Sequence, residues 1–291
     1  MFNGSIPALI TPFRNGAVDF EAFGALVERQ IEHGSSGLVP VGTTGETSTL
    51  SHEEHKSVVS ACVEIARGRV PVIAGAGSNS TSEAIELVQH AKTVGADAAL
   101  VVCPYYNKPD QAGLEAHFRA INDAVQLPIF LYNVPSRTVS DLLPETVGRL
   151  AHLPNIIGIK DATGDLSRVA LHAEYADGAQ FVQLSGEDPT GVDFCVLGGE
   201  GCISVTANVA PSQVARVYTA VENDDLPTAR MTDKTLKSLH SGLFASPSPG
   251  PVKYLLSKLG YCTADLRLPL TPPDEATCSL LDAALAEAGV S

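Results

Sequence analysis

Eight short apolar runs alternate with eight segments of helical periodicity through roughly the first 225 residues, and this alternation restricts the fold most strongly. The runs cover residues 6–13, 37–42, 70–77, 98–104, 128–135, 156–162, 180–186 and 202–206. Periodic segments such as Phe20-Phe23-Leu26-Val27-Ile31 and Val58-Val59-Cys62-Val63 separate them. Eight regular repeats favour a closed (β/α)8 barrel, with an open doubly wound sheet as the alternative. Ser51 with Glu54, and Ser80 with Glu83, have the spacing of helix capping boxes. Asp19 and Asp188 are further cap candidates, and Gly34, Gly68 and Gly95 suit left-handed helix ends. After Asn223 the strand signal stops, and residues 226–243, 251–259 and 275–288 are expected to be helical. The expected division is a catalytic barrel over 1–225 and a helical C-terminal extension over 226–291.

Charge narrows the function. The net charge of −14 argues against nucleic-acid binding, which needs clustered Lys and Arg. An anionic substrate would have to be met by a few placed cations, because the general field is unfavourable. No apolar run approaches the ~20 residues of a membrane span, and no signal peptide is expected. The six cysteines lack CxxC spacing, so structural disulfides and a zinc site are not expected, and the cytoplasm is the natural compartment.

The run Ile156-Ile-Gly-Ile-Lys160-Asp-Ala162 places a lysine in a strand that reads as buried on both faces. An unpaired ammonium is expensive there. Desolvation favours the neutral amine, the nucleophile that forms a Schiff base with a carbonyl. The plainer alternative is a structural lysine paired with Asp161 or Glu187. The other lysines, Lys253 among them, fall in polar loops or helix-like segments.

In a barrel of this kind the chemistry lies at the C-terminal ends of the strands and in the loops that follow. That rule selects Gly42-Thr-Thr-Gly-Glu46, Tyr105-Tyr-Asn107, Tyr132-Asn-Val-Pro-Ser-Arg137, Lys160, Gly186-Glu-Asp188 and Ile203-Ser-Val-Thr206. The set is rich in hydroxyls, with one guanidinium and one amine, and suits an anionic carbonyl substrate. Arg137 offers a planar fork for a carboxylate, with a surface salt bridge as its ordinary alternative. Gly75-Ala-Gly77-Ser-Asn-Ser80 is a weak, truncated dinucleotide fingerprint. His52 and His55 stand three apart, which is not zinc-protease spacing.

Taken together, Gly-Thr-Thr-Gly-Glu, Tyr-Tyr-Asn, Tyr-Asn-Val-Pro-Ser-Arg and Gly-Ile-Lys-Asp-Ala-Thr-Gly resemble the 4-hydroxy-tetrahydrodipicolinate synthases, lyases of the N-acetylneuraminate lyase superfamily. The likeness extends to Leu184-Ser-Gly-Glu-Asp188, Ile203-Ser-Val-Thr-Ala-Asn208 and Pro251-Val-Lys253. It implies that Lys160 forms an imine with pyruvate, that Tyr132 is the acid/base, and that Thr43 and Tyr106 complete a hydroxyl relay. In the family that second tyrosine crosses a dimer interface, implying a homo-oligomer, a tetramer built as a dimer of dimers. Thr44, Gly186 and Ile203 would hold the pyruvate carboxylate and position the lysine. Arg137 would bind L-aspartate 4-semialdehyde, a residue the sialic-acid lyases lack. No cofactor and no metal are implied. His52, His55, Asn79, Glu83 and Tyr105 match positions of a feedback site for L-lysine. Ser248 departs from the asparagine that many of these synthases carry. A different 2-keto acid aldolase or dehydratase is the alternative within the superfamily, and a non-catalytic binding barrel the alternative outside it.

Overall fold

The computed structural model describes residues 2–290. In chain order its elements begin with β1 (Gly4–Pro7), a small hairpin of β2 (Phe13–Arg14) and β3 (Ala17–Val18), α1 (Phe20–Glu32) and α2 (His52–Ala66). They continue with β4 (Ile73–Gly75), α3 (Thr81–Thr93), β5 (Ala98–Val102), α4 (Gln111–Ala124), β6 (Ile129–Asn133), α5 (Pro135–Thr138) and α6 (Pro144–Ala151). Next come β7 (Ile156–Asp161), α7 (Ser167–Tyr175), β8 (Val182–Ser185), α8 (Gly191–Val196), β9 (Gly201–Ser204) and α9 (Pro211–Glu222). Three C-terminal helices follow, α10 (Leu226–Gly242), α11 (Gly250–Lys258) and α12 (Glu275–Glu287).

Seven parallel strands pair in the order β1-β9-β8-β7-β6-β5-β4. The expected strand over 37–42 is reduced to two parallel bridges, Ala8 with Val39 and Leu38 with Val72, which close the ring between β1 and β4. Two residues explain the reduction. Pro40 has no N–H for a ladder, and Val41 at φ 47° turns out of the extended conformation. The result is the (β/α)8 barrel that the alternation predicts. The run over 6–13 is also shorter than expected, because Phe13 leaves the barrel and pairs antiparallel with Val18.

Side chains alternate across the barrel wall. Ile6, Ala8, Val39, Ile73, Leu100, Phe130, Leu184 and Ile203 fill the interior, while Val101, Leu131 and Ile159 face the helices. Phe2 meets Phe130 edge-on at 5.2 Å between ring centres. Burying each of these large side chains contributes about 2–3 kcal/mol. Gly158 makes room for that core, since a Cβ there would stand 2.6 Å from Phe130 and 2.3 Å from the Val182 carbonyl oxygen.

Helix starts follow the sequence in part. Ser51 and Glu54 form the full capping box, and Asp19 accepts from the Ala22 N–H. The box expected at Ser80 does not form: Glu83 is drawn instead to the Ser78 hydroxyl and to His52 Nε2 at 2.7 Å. Asp188 does not cap α8 either. Its buried carboxylate accepts from the Val205 and Thr206 N–H groups and the Ser204 hydroxyl, tying one strand end to the next. All six cysteines are free. No helix among the described residues is long and apolar enough to cross a membrane.

Candidate active site

Lys160 is the last inward-facing residue of β7 before the chain leaves the barrel wall. It is 6 % exposed, and no carboxylate of the described residues forms an ion pair with it. The neighbouring Asp161 points the other way, toward the helices, where it accepts from the Thr163 N–H and hydroxyl at 2.8 and 2.6 Å. The alternation of a strand therefore removes Asp161 as a partner. Glu187 lies near enough for Lys160 and Arg137 to oppose the rise that burial causes in its pKa. It stands outside ion-pair distance of both.

Tyr132 is in register with Lys160 on the adjacent strand, and the lysine Nζ lies 4.2 Å from its ring centre. The Tyr132 hydroxyl is 3.5 Å from Thr43 Oγ1. Thr43 opens a single turn of 3₁₀ helix, Thr43–Gly45, immediately after the bridged segment. The phenol of Tyr132 thus neighbours both the amine, through its ring, and the Thr43 hydroxyl, through its own. Thr44 is buried on the same turn, and Ile203 is buried in β9. Gly186 lies against the lysine itself: a Cβ at that position would come within 3.0 Å of Lys160 Cε and 2.5 Å of Ala162 Cβ.

Arg137 is carried on the short helix α5, and its loop is braced by the Ser140 hydroxyl, which donates to the Pro104 carbonyl at 2.7 Å. Its guanidinium has no ion pair among the described residues, so the surface salt bridge is not what it forms. It lines a cavity of about 460 Å³ together with Thr43, His52, His55, Glu83 and Tyr105. A hollow of about 30 Å³, lined in part by Thr43 and Tyr132, adjoins the same threonine. Thr43 therefore borders both spaces.

The feedback set is brought together, though not in isolation from the catalytic face. His52, His55, Glu83 and Tyr105 share one cavity wall with Thr43 and Arg137. Asn79 stands behind it, its amide nitrogen donating to the Tyr105 carbonyl at 3.1 Å. Burial lowers the His55 pKa to about 4, so this histidine is neutral at pH 7. Tyr106 is not at the site within its own chain. It is 93 % exposed and held at φ 72°, directed into solvent.

The sequence reading missed Lys253. Although it stands on a helix as expected, it is wholly buried and pairs with Glu46 at 2.5 Å. Its local signal is the apolar run around it, Val252 and Leu255-Leu256, all of which are fully buried.

Comparison with known proteins places this arrangement. The model of the dihydrodipicolinate synthetase family matches residues 1–288. The chain belongs to this family. It is 67 % identical over 292 residues to a 4-hydroxy-tetrahydrodipicolinate synthase of Hyphomonas neptunium, with 100 % of each chain covered. It is 59 % identical to the synthase of Phenylobacterium zucineum, over 100 % of this chain and 98 % of that one. The fold matches a chloride-inhibited dihydrodipicolinate synthase of Acinetobacter baumannii, solved in complex with pyruvate. There the TM-score is 0.97 and the identity 46 %, with 100 % of both chains covered. A dihydrodipicolinate synthase of Cyanidioschyzon merolae with lysine bound matches with TM-score 0.95 and 36 % identity, over 100 % of this chain and 99 % of that one.

Proposed function

We propose that the chain is a 4-hydroxy-tetrahydrodipicolinate synthase, a lyase that condenses pyruvate with L-aspartate 4-semialdehyde in the diaminopimelate route to lysine. Family membership across the chain supports the reaction class. The observation that carries it to residues is the unpaired Lys160 in register with Tyr132, whose hydroxyl reaches Thr43.

In this reading the Lys160 amine attacks C2 of pyruvate. Loss of water gives a protonated imine, which serves as an electron sink. Removal of a methyl proton yields the enamine, whose carbon attacks the aldehyde of the second substrate and forms the carbon–carbon bond. The aldehyde oxygen takes up a proton and remains as the hydroxyl. The amine of the semialdehyde then adds to the imine carbon, closes the ring and expels Lys160. Each step moves a proton, which gives the Tyr132–Thr43 pair its task. Thr44, Gly186 and Ile203 hold pyruvate and the lysine in place. Arg137 binds the semialdehyde carboxylate through its fork. No metal or organic cofactor takes part in this sequence.

Tyr106 is assigned to the relay of a neighbouring subunit, a reading supported by its exposure. The assembly proposed on family resemblance is a homotetramer, a dimer of dimers, working in the cytoplasm. Residues 1–225 carry the chemistry and 226–291 form the helical extension. L-lysine is proposed as a feedback inhibitor bound by His52, His55, Asn79, Glu83 and Tyr105. A coupled assay with pyruvate and L-aspartate 4-semialdehyde tests the activity, and absence of condensation overturns it. Sedimentation velocity tests the assembly.

A further inference from the structure

The C-terminal helices reach the catalytic turn through one buried ion pair. The side chains of Lys253 on α11 and Glu46 are both 0 % exposed and stand 2.5 Å apart. Lys253 Nζ also donates to the Asp265 carbonyl at 2.9 Å and lies 3.9 Å from the centre of the Phe13 ring. Glu46 closes the turn that presents Thr43. Its N–H donates to the Thr43 carbonyl at 3.2 Å, its backbone is left-handed at φ 53°, and its carboxylate also accepts from the Arg267 N–H at 3.1 Å. A buried ion pair is a weak source of stability, because a packed apolar pair of similar volume often does better. What such a pair does supply is a fixed geometry. The geometry matters here, since the Thr43 hydroxyl is 3.5 Å from that of Tyr132 and any outward shift of the turn breaks the contact.

We propose that Lys253 is a positioning residue for the condensation, holding Glu46 so that Thr43 stays within proton-transfer reach of Tyr132. The inference rests on the functional reading above and extends it to the helical extension, which holds none of the residues assigned there to the chemistry. It also accounts for Glu46 of the Gly-Thr-Thr-Gly-Glu run and for Pro251-Val-Lys253, neither of which the chemistry itself uses.

The test is a double-mutant cycle on the full-length enzyme. Lys253→Met is combined with Thr43→Val, and the paired variant Glu46→Gln/Lys253→Met leaves no unmatched buried charge should Lys253→Met alone fail to fold. Expected are a cooperative thermal melt and a kcat lowered ~10- to 100-fold, with KM for both substrates changed less than about threefold. In the Thr43→Val background the same change should cost less than about threefold more, because the pair acts through that hydroxyl. Equal losses in both backgrounds overturn the proposal. So do a paired variant with parental kcat, a change confined to KM, and failure of both Lys253 variants to fold, which marks the pair as purely structural. A parent enzyme without condensation activity overturns the functional reading instead, and that result precedes any variant.

Discussion

Lys160 and Tyr132 face one another across adjacent parallel strands, in register, with the amine 4.2 Å from the centre of the phenol ring. The contact keeps the lysine in the barrel mouth, where no carboxylate of the described residues forms an ion pair with it. Borohydride added with pyruvate should therefore trap a covalent adduct on Lys160, located by mass spectrometry of the digested protein. Lys160→Arg should lose nearly all activity, because a guanidinium stays charged and does not form the imine. An adduct found on Lys253 or any other lysine would remove the basis of the mechanism.

Arg137 should be needed for the second substrate and not for the first. Its side chain lines the cavity of about 460 Å³, which Lys160 does not, and among the described residues it has no ion pair to maintain. Arg137→Ala is expected to weaken use of L-aspartate 4-semialdehyde by roughly 2–4 kcal/mol, ~30- to 1000-fold in kcat/KM. Trapping of pyruvate should stay close to parental. Loss of trapping in a folded Arg137→Ala protein contradicts the assignment.

Much of this site was legible because it depends on two local rules. The unbroken apolar run around Lys160 marks a buried strand, and the barrel's functional face follows from strand direction, so Thr43, Tyr132 and Arg137 could be selected from their positions at and after strand ends. What was hidden depends on long-range partners. Periodicity cannot distinguish a buried lysine from one whose stem alone is covered, and Lys253 finds Glu46 only once the C-terminal helices pack on the barrel. Glu83 likewise abandons the local cap at Ser80, because His52 from the preceding helix competes for it. The reduced strand at 37–42 was readable in retrospect from Pro40.

A side chain at Gly186 should displace the catalytic lysine. Its backbone is not in the left-handed region, so folding is expected to survive Gly186→Ala, while the new Cβ meets Lys160 Cε at 3.0 Å and Ala162 Cβ at 2.5 Å. A displacement of the amine by around 1 Å would lower the rate of imine formation by about 100-fold. Stopped-flow measurement of pyruvate binding checks this, and an unchanged rate would show that the lysine does not depend on the gap.

Acid should destabilise the fold well above the range where most carboxylates titrate. Burial lowers the pKa of His117 to about 4, from an ordinary value of 6.5, and acts on His55 in the same way. Between those two values the unfolded chain binds more protons than the folded one. Stability is therefore fully present above pH 6.5 and falls as the pH drops toward 4, on the order of 3 kcal/mol for each histidine. His117→Gln, which keeps a polar partner for the Thr81 hydroxyl 2.9 Å away, should flatten this slope in urea titrations. An identical slope in the variant would assign the acid sensitivity elsewhere.

Lysine feedback is expected to pass through Glu83. The cavity offers a free amino acid a carboxylate at Glu83, a neutral imidazole at His55 and the Tyr105 ring at its edge. Glu83 now holds His52 Nε2 at 2.7 Å and the Ser78 hydroxyl, so an ammonium would enter an existing polar cluster. Lys160 does not line this cavity, whereas Thr43 does. Lysine bound there can disturb the hydroxyl pair without occupying the imine position, so saturating pyruvate should not relieve the inhibition. Initial rates with millimolar L-lysine should show partial inhibition of the parent, and Glu83→Ala should raise the half-inhibitory concentration at least ~10-fold by removing a charge-assisted contact. Full relief by pyruvate would place lysine on the catalytic lysine's side of Thr43, and unchanged inhibition in Glu83→Ala would exclude the cluster.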